Sequence, residues 1–297
     1  MRKINTLTLQ QREARLAYWF VVPTFAIVFG LVIYPALYNI WISFHKVTLG
    51  TLGEGGAPFV GLQNYLRVAN DFLFKDALKA TIIYSFLGSI LSIGLGLIAS
   101  LLLNRKFKGR GLVRAIFLFP YIAPVVSVAY IWKWLLNPVN GVISWALMSS
   151  GIWSEPVAML SQKGWAMFIV IIFQGWRYFP FAMLMILARL QAIPNELYEA
   201  ASIDGAGIIK KFFNITLPEL RYVLGTLFLL RLMWTFNKFD DIYLLTGGAA
   251  GTKVLPVLTY EFSFGMLNFG LGSATSMFLF IILAVFMIFY VKYILEW

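Results

Sequence analysis

The first candidates for chemistry are the charged side chains that interrupt otherwise apolar stretches. Arg177 sits in FQGWRYFPF and Arg231 in LLRLMWTFNKFDD, with Lys238, Asp240 and Asp241 close behind. A charge inside hydrocarbon is costly, so it either pairs within a helix bundle or faces a polar path. For both arginines the two readings stay open: a structural cation held by an acid or by carbonyls, or a ligand-binding guanidinium. Lys238, Asp240 and Asp241 fall nearer the outer end of their segment, where a solvated mouth or a surface salt bridge is the simpler expectation. The chain has no cysteine, which excludes disulfides, thiolate metal sites and a cysteine nucleophile. His45, the single histidine, lies at the end of the first apolar run and reads as an interfacial polar residue rather than a ligand. No G-x-x-x-x-G-K-[ST] phosphate loop occurs anywhere.

The elements that must position these groups are membrane spans. Of 297 residues 60% are hydrophobic and 12% charged, about half the charge of a soluble domain. Burying that surplus apolar surface requires lipid. About 20 apolar residues cross a bilayer as a helix, and residues 16–44, 80–104 and 262–291 carry no charge. A fourth span is expected over 115–136, and two interrupted ones over 165–188 and 221–246. The fold class is therefore all-α integral membrane with six transmembrane helices.

The net charge of +11 is explained by basic loops that set membrane orientation, not by nucleic acid. With the N-terminus cytoplasmic, fourteen Lys and Arg fall inside and eight outside, with Arg177 and Arg231 in spans; that is the positive-inside pattern. Arg2, Lys3, Arg12 and Arg15 open the chain, and the short loop 104–114 carries much of the signal. The first apolar run is too long for a signal-peptide core and reads as a retained span. Turn residues mark outside loops over 45–79, 137–164 and 247–261, including GEGGAP at 53–58, NPVNG at 137–141 and TGGAAG at 246–251. Tyr18, Trp19, Trp132, Trp134, Trp165 and Trp297 fit interfacial belts. Pro120, Pro124, Gly175 and Pro180 read as packing or kink positions.

One polar stretch stands out between apolar runs: ELYEAASIDGAGIIKKFFNITLPEL, residues 196–220. Asn195 is the expected N-cap of a short helix, with Glu196 in its first turn. Leu197, Ala200, Ala201 and Asp204 share one side. Gly205 and Gly207 bracket Ala206 and permit a sharp turn. A second, amphipathic helix follows from Ile208, with Pro218 as the next expected break. Charge places the unit in the cytoplasm. On pattern alone it is either a hairpin joining two spans or a docking surface whose small residues admit another chain.

The same stretch resembles the EAA motif of bacterial ABC importer permeases, EAA-three residues-G-nine residues-I-x-LP. Glu199, Ala200 and Ala201 are followed at the motif's spacing by Gly205, Ile215, Leu217 and Pro218. PYIAP at 120–124, LNP at 136–138, LQAIPNELYEAA at 190–201, TFNKFDDIYLLTGG at 235–248 and FVGLQNY at 59–65 are similar to the carbohydrate-uptake branch, and the likeness runs from about residue 16 onward. It implies the type I ABC importer transmembrane-domain (maltose-permease-like) fold in a short six-span form. Its parts would be a cytoplasmic segment 1–15, a first helix 16–44, an extracytoplasmic loop 45–79 and a core 80–295, with the coupling loop at 195–218.

In that family the EAA loop seats in a cleft of a separate ATPase subunit. The resemblance thus assigns coupling to Glu199, Ala200, Ala201, Asp204, Gly205 and Ala206. It assigns the substrate path to Tyr121, Gln174, Arg177, Tyr178, Arg231, Trp234, Thr235 and Lys238. Aromatic faces, amides, hydroxyls and guanidinium groups suit a carbohydrate; two arginines and a lysine also suit an anion such as glycerol phosphate or a sugar acid. The implied partners are a second homologous permease, two ATPase subunits, an extracytoplasmic solute-binding protein and membrane lipid. This chain itself is expected to be non-catalytic and to bind no cofactor or metal, with ATP and Mg used by the ATPase. The implied location is the bacterial cytoplasmic (inner) membrane, with both termini cytoplasmic. Two rival readings are an ATP-independent secondary transporter, which would need ion-coupling acids at mid-span, and a membrane scaffold that recruits a cytoplasmic protein through the hairpin.

Overall fold

A computed structural model describes residues 8–51 and 56–293. Arg2, Lys3, the first glycines of GEGGAP and Trp297 lie outside the described residues. The described elements are all helical, joined at one edge by isolated bridges between His45 and Phe59 and between Thr48 and Asn268.

Two long helices make the centre. Helix α4 (Phe72–Asn104) and helix α8 (Trp165–Gln191) pack along most of their length. Thr81, Ser85, Gly88, Ser89, Ser92, Gly96, Ala99 and Ser100 of α4 are buried at helical spacing. Without water to drive association, spans pack where small side chains let backbones approach. A Cβ added at Gly96 would lie 2.7 Å from the Ala182 Cβ and 2.8 Å from the Met183 amide nitrogen. At Gly175 it would lie 2.5 Å from Leu91.

The expected spans differ in detail. Residues Arg15–Ser43, Phe72–Asn104, Trp165–Gln191 and Phe269–Lys292 are long and apolar enough to cross a membrane. The first comprises α1 (Leu9–Val28), a wide π turn at Phe29–Ile33 and α2 (Tyr34–Ser43). Helix α3 (Gln63–Asn70) and the first turns of α4 occupy the expected outside loop 45–79. Instead of one straight span over 115–136, α5 (Arg110–Ile122) and α6 (Val125–Leu135) meet at 95°. Pro124 forces Ala123 into an extended conformation, ψ 141°. Helix α7 (Val142–Ser149) lies in the next loop.

Beyond α8 come α9 (Asn195–Ile203) and α10 (Ile208–Lys211). Next are α11 (Leu217–Phe236), α12 (Asp240–Thr246), α13 (Leu255–Tyr260) and α14 (Phe269–Tyr293). The expected span 221–246 is thus two helices broken at Asn237–Phe239; α11, carrying Glu219, Arg221 and Arg231, is not among the four helices, or five with the bent pair, that are apolar enough to cross a membrane among the described residues. Pro218 does not break the chain's helical course. A π turn at Phe212–Thr216 precedes it and joins α10 to α11, widening the turn where a proline ring would otherwise strike the preceding carbonyl. The π turn ahead of Pro35 answers the same clash.

The first span is held only near its end. Asn64 on α3 donates from Nδ2 to the carbonyls of Ser43 and His45, both at 2.9 Å. His45 stacks on Trp41 at 3.9 Å and bonds its carbonyl through Nδ1, an interfacial arrangement. Trp132 is not in an outer belt: it packs inside against Phe173 and Trp176.

Candidate functional site

Arg231 of α11 meets Tyr178 of α8 and Lys238 of the segment after α11 at one cavity. A cavity of about 540 Å³ is lined by Tyr121, Tyr178, Arg231, Trp234, Thr235 and Lys238, with Asp240 at its rim. Six of the eight residues assigned to a path therefore share one cavity. The Tyr178 ring is its centre: the Arg231 guanidinium carbon lies 4.5 Å from the ring centroid and the Lys238 Nζ 5.1 Å, within cation–π range. Tyr121 sits edge-on to Tyr178, and Trp234 edge-on to Phe181. Tyr121 and Trp234 are 43% and 45% exposed, so their faces are free to meet a ligand.

The other two stand behind this surface. Gln174 is fully buried and donates from Nε2 to Thr235 Oγ1 at 2.8 Å, while its Oε1 has no partner. Arg177 does not line the cavity, although its guanidinium carbon lies 5.6 Å from the centroid of the Tyr178 ring. Its two Nη atoms donate to the carbonyls of Pro120 and Ala123 at 3.2 and 2.9 Å, supplying the bonds that the α5–α6 break removes. Arg231 also has no carboxylate within ion-pair distance among the described residues. It donates to Ser92 Oγ at 3.3 Å and Thr235 Oγ1 at 3.4 Å, leaving a full positive charge beside the cavity.

The two acids differ: Asp240 meets the expectation of a salt bridge and Asp241 does not. Lys238 and Asp240 do form a partly exposed ion pair at 2.9 Å. Asp241 is fully buried, not solvated. It accepts from Tyr178 OH at 3.2 Å and from Tyr84 OH at 3.3 Å, tying α12 to α8 and α4. The break after Asn237 turns the chain back toward the bundle and carries Asp241 inward. Tyr84 and Asp241 were not among the assigned path residues. The buried stripe of hydroxyls and glycines on α4, regular in an otherwise apolar helix, was the available signal.

The polar stretch forms a hairpin at the opposite end of α8 and α11. Helix α9 starts after Pro194, not after a capping Asn195: Asn195 is already helical and no side chain caps the end. Gly205 has φ +72°, the left-handed geometry that closes the turn. Ala206 N–H reaches the Ala201 carbonyl at 2.8 Å. At the root, Arg189 donates to the Glu219 backbone carbonyl and to its carboxylate, and Tyr198 bonds Thr216. At the tip, Glu199, Ala200, Asp204 and Gly205 are exposed, and Ala201 and Ala206 half-buried. A firm root with a small-sided, exposed tip is a surface another body could grip.

Residues 92–296 match the family described as binding-protein-dependent transport system inner membrane component. The chain is 39% identical over 292 residues to the trehalose/maltose transport system permease protein MalF of Thermococcus litoralis, covering 97% of each. It is 32% identical over 259 residues to the sn-glycerol-3-phosphate transport system permease protein UgpA of Agrobacterium fabrum, covering 84% of this chain and 87% of that one. Its fold matches, at TM-score 0.81 and 23% identity, a chain of a bacterial alginate ABC transporter solved in complex with alginate pentasaccharide-bound periplasmic protein, covering 94% and 93% of the two chains. That likeness establishes the type I importer architecture. With the family matched over most of its length, the chain belongs to the binding-protein-dependent transport system inner membrane components, the multi-pass permease subunits of ABC importers.

Proposed function

We propose that this permease translocates a sugar or related solute by alternating access. The solute arrives from an extracytoplasmic binding protein, and the motion is driven by two ATPase subunits that use ATP and Mg. A second, homologous permease completes the path. The chain lies in a bacterial cytoplasmic membrane with both termini inside, the hairpin 195–218 facing the ATPase. The observation that carries this reading is the cavity around Tyr178. Exposed aromatic faces beside hydroxyl and guanidinium donors offer what a polyhydroxyl ring requires: stacking on C–H surfaces and bonds to O–H groups. The curated relatives named for trehalose/maltose and for glycerol 3-phosphate support the same class. One observation favours an anionic member of that class: Arg231 lines the cavity with only hydroxyl partners.

Proteoliposomes holding both permeases and the ATPases, supplied with binding protein, test it directly. Accumulation of a neutral disaccharide that needs internal ATP is the expected result, and an excess of glycerol phosphate that suppressed it would shift the assignment to the anion. Uptake that follows an ion gradient and ignores ATP sinks the proposal. The hairpin's role has its own test. Among the described residues, no atom beyond its two chain neighbours lies within 4 Å of a Cβ built on Gly205, so bulk there projects into open space that a partner could fill. Asn tolerates positive φ; Gly205→Asn should keep ligand-stimulated ATPase activity and Gly205→Trp should abolish it.

A further inference from the structure

A second groove, larger than the cavity around Tyr178, lies elsewhere in the described structure. It has a volume of about 910 Å³ and lies where α4 and α8 end, between the α4–α5 loop and α10. Arg105, Lys106, Arg110 and Lys211 line it, and no aspartate or glutamate does. Arg105, Lys106 and Arg110 form no ion pair among the described residues. The rest of its wall mixes uncharged polar residues, Asn104, Gln191 and Asn195 among them, with apolar ones such as Leu101, Ile208, Phe212 and Phe213; Ile208 and Phe213 are 78% and 58% exposed. Four cations beside exposed apolar side chains, at the end where two long apolar helices stop, suit the mixed polarity of a single amphiphile.

The coupling tip is a separate surface. None of Glu199, Ala200, Ala201, Asp204, Gly205 and Ala206 lines the groove. The tip and the groove are thus lined by different residues, and the groove's four cations, with no acid among its lining residues, repel any basic segment of this chain.

We propose that this groove binds an anionic phospholipid. Its phosphate sits among Arg105, Lys106 and Arg110, and its acyl chains lie along Leu101, Phe212 and Phe213. Because the groove joins the α4–α5 loop to α10, a bound lipid braces the root of the hairpin.

The test uses the complete importer, purified in mild detergent and exchanged into nanodiscs of phosphatidylcholine with or without phosphatidylglycerol. Native mass spectrometry should find phosphatidylglycerol retained on the importer. The R105Q/K106Q/R110Q variant should retain it on the order of 100-fold less, at a factor of about five per basic side chain. Equal retention by parent and variant overturns the proposal. So does a variant that keeps the lipid and loses the ATPases, which would make the groove a protein dock. A second measurement needs no variant. On the unaltered importer, a photoreactive phosphatidylglycerol should label residues 101–110 and 208–213 in preference to a phosphatidylcholine analogue; equal labelling by the two overturns it.

Discussion

Asp241 shows how one carboxylate can organise a path without lining it. Its two oxygens take the hydroxyl protons of Tyr84 and Tyr178, and Tyr178 in turn offers its face to Arg231 and Lys238. Tyr178→Phe keeps the ring and deletes one donor to a buried acceptor. It should lower stability by about 1–3 kcal/mol, read as a fall in the melting temperature of the detergent-purified importer. The two arginines separate by the same logic. Arg177→Gln orphans carbonyls at Pro120 and Ala123 and should chiefly lower the melting temperature. Arg231→Gln removes a charge beside the cavity and should chiefly lower uptake, by about tenfold or more for one lost charge-assisted bond of roughly 1.5–3 kcal/mol. Equal losses of stability with unchanged uptake in both would put Arg231 in the structural class. The sequence made both arginines conspicuous because charge in an apolar run is rare. It could not distinguish them, because Arg177's partners are carbonyls released by a bend 54 residues away.

At the scale of elements, the α4–α8 pair is the rigid part. Its contact depends on the absence of side chains at Gly88, Gly96 and Gly175, where any Cβ meets the facing helix. Gly96→Val must push α8 away from α4 and should cost about 1–3 kcal/mol. Thermal unfolding of the reconstituted importer measures it, and an unchanged midpoint would refute the close-packing account. Long apolar runs made these spans legible from sequence, since hydrocarbon thickness sets their length. The breaks were harder. Pro124 bends its span by 95° while Pro180 leaves α8 continuous, and Pro218 is absorbed by a π turn. A proline announces a missing donor; whether the helix kinks depends on what neighbouring helices supply to the freed carbonyls.

For the molecule as a whole, two of the basic segments counted as inside lie together. The α4–α5 loop and the hairpin line one groove at one end, while α3, α7 and the α12–α13 turn belong to segments counted as outside. The absence of cysteine makes the orientation directly measurable. Ser202→Cys should react with a membrane-impermeant maleimide only in inside-out vesicles, and Asn140→Cys only in intact cells. The reverse pattern would overturn the charge-based topology. The first span adds a second whole-molecule statement. In its membrane-length window no residue is buried within this chain, and Phe20 and Leu31 are 80% and 74% exposed. Its sequence announced a span; nothing in that sequence announced how little of the span this chain would cover.

The corner between α5 and α6 is held by a side chain that belongs to neither helix. Arg177 grips it from α8 through two bonds, one of ordinary length at 2.9 Å and one of 3.2 Å, at the upper end of the usual range. Sliding α8 along its axis by half a turn, about 2.7 Å, would stretch both past that range. The corner must therefore travel with α8 or let go. It acts as a clutch between two parts of the wall, engaged or slipping, and its state is set by the position of one helix.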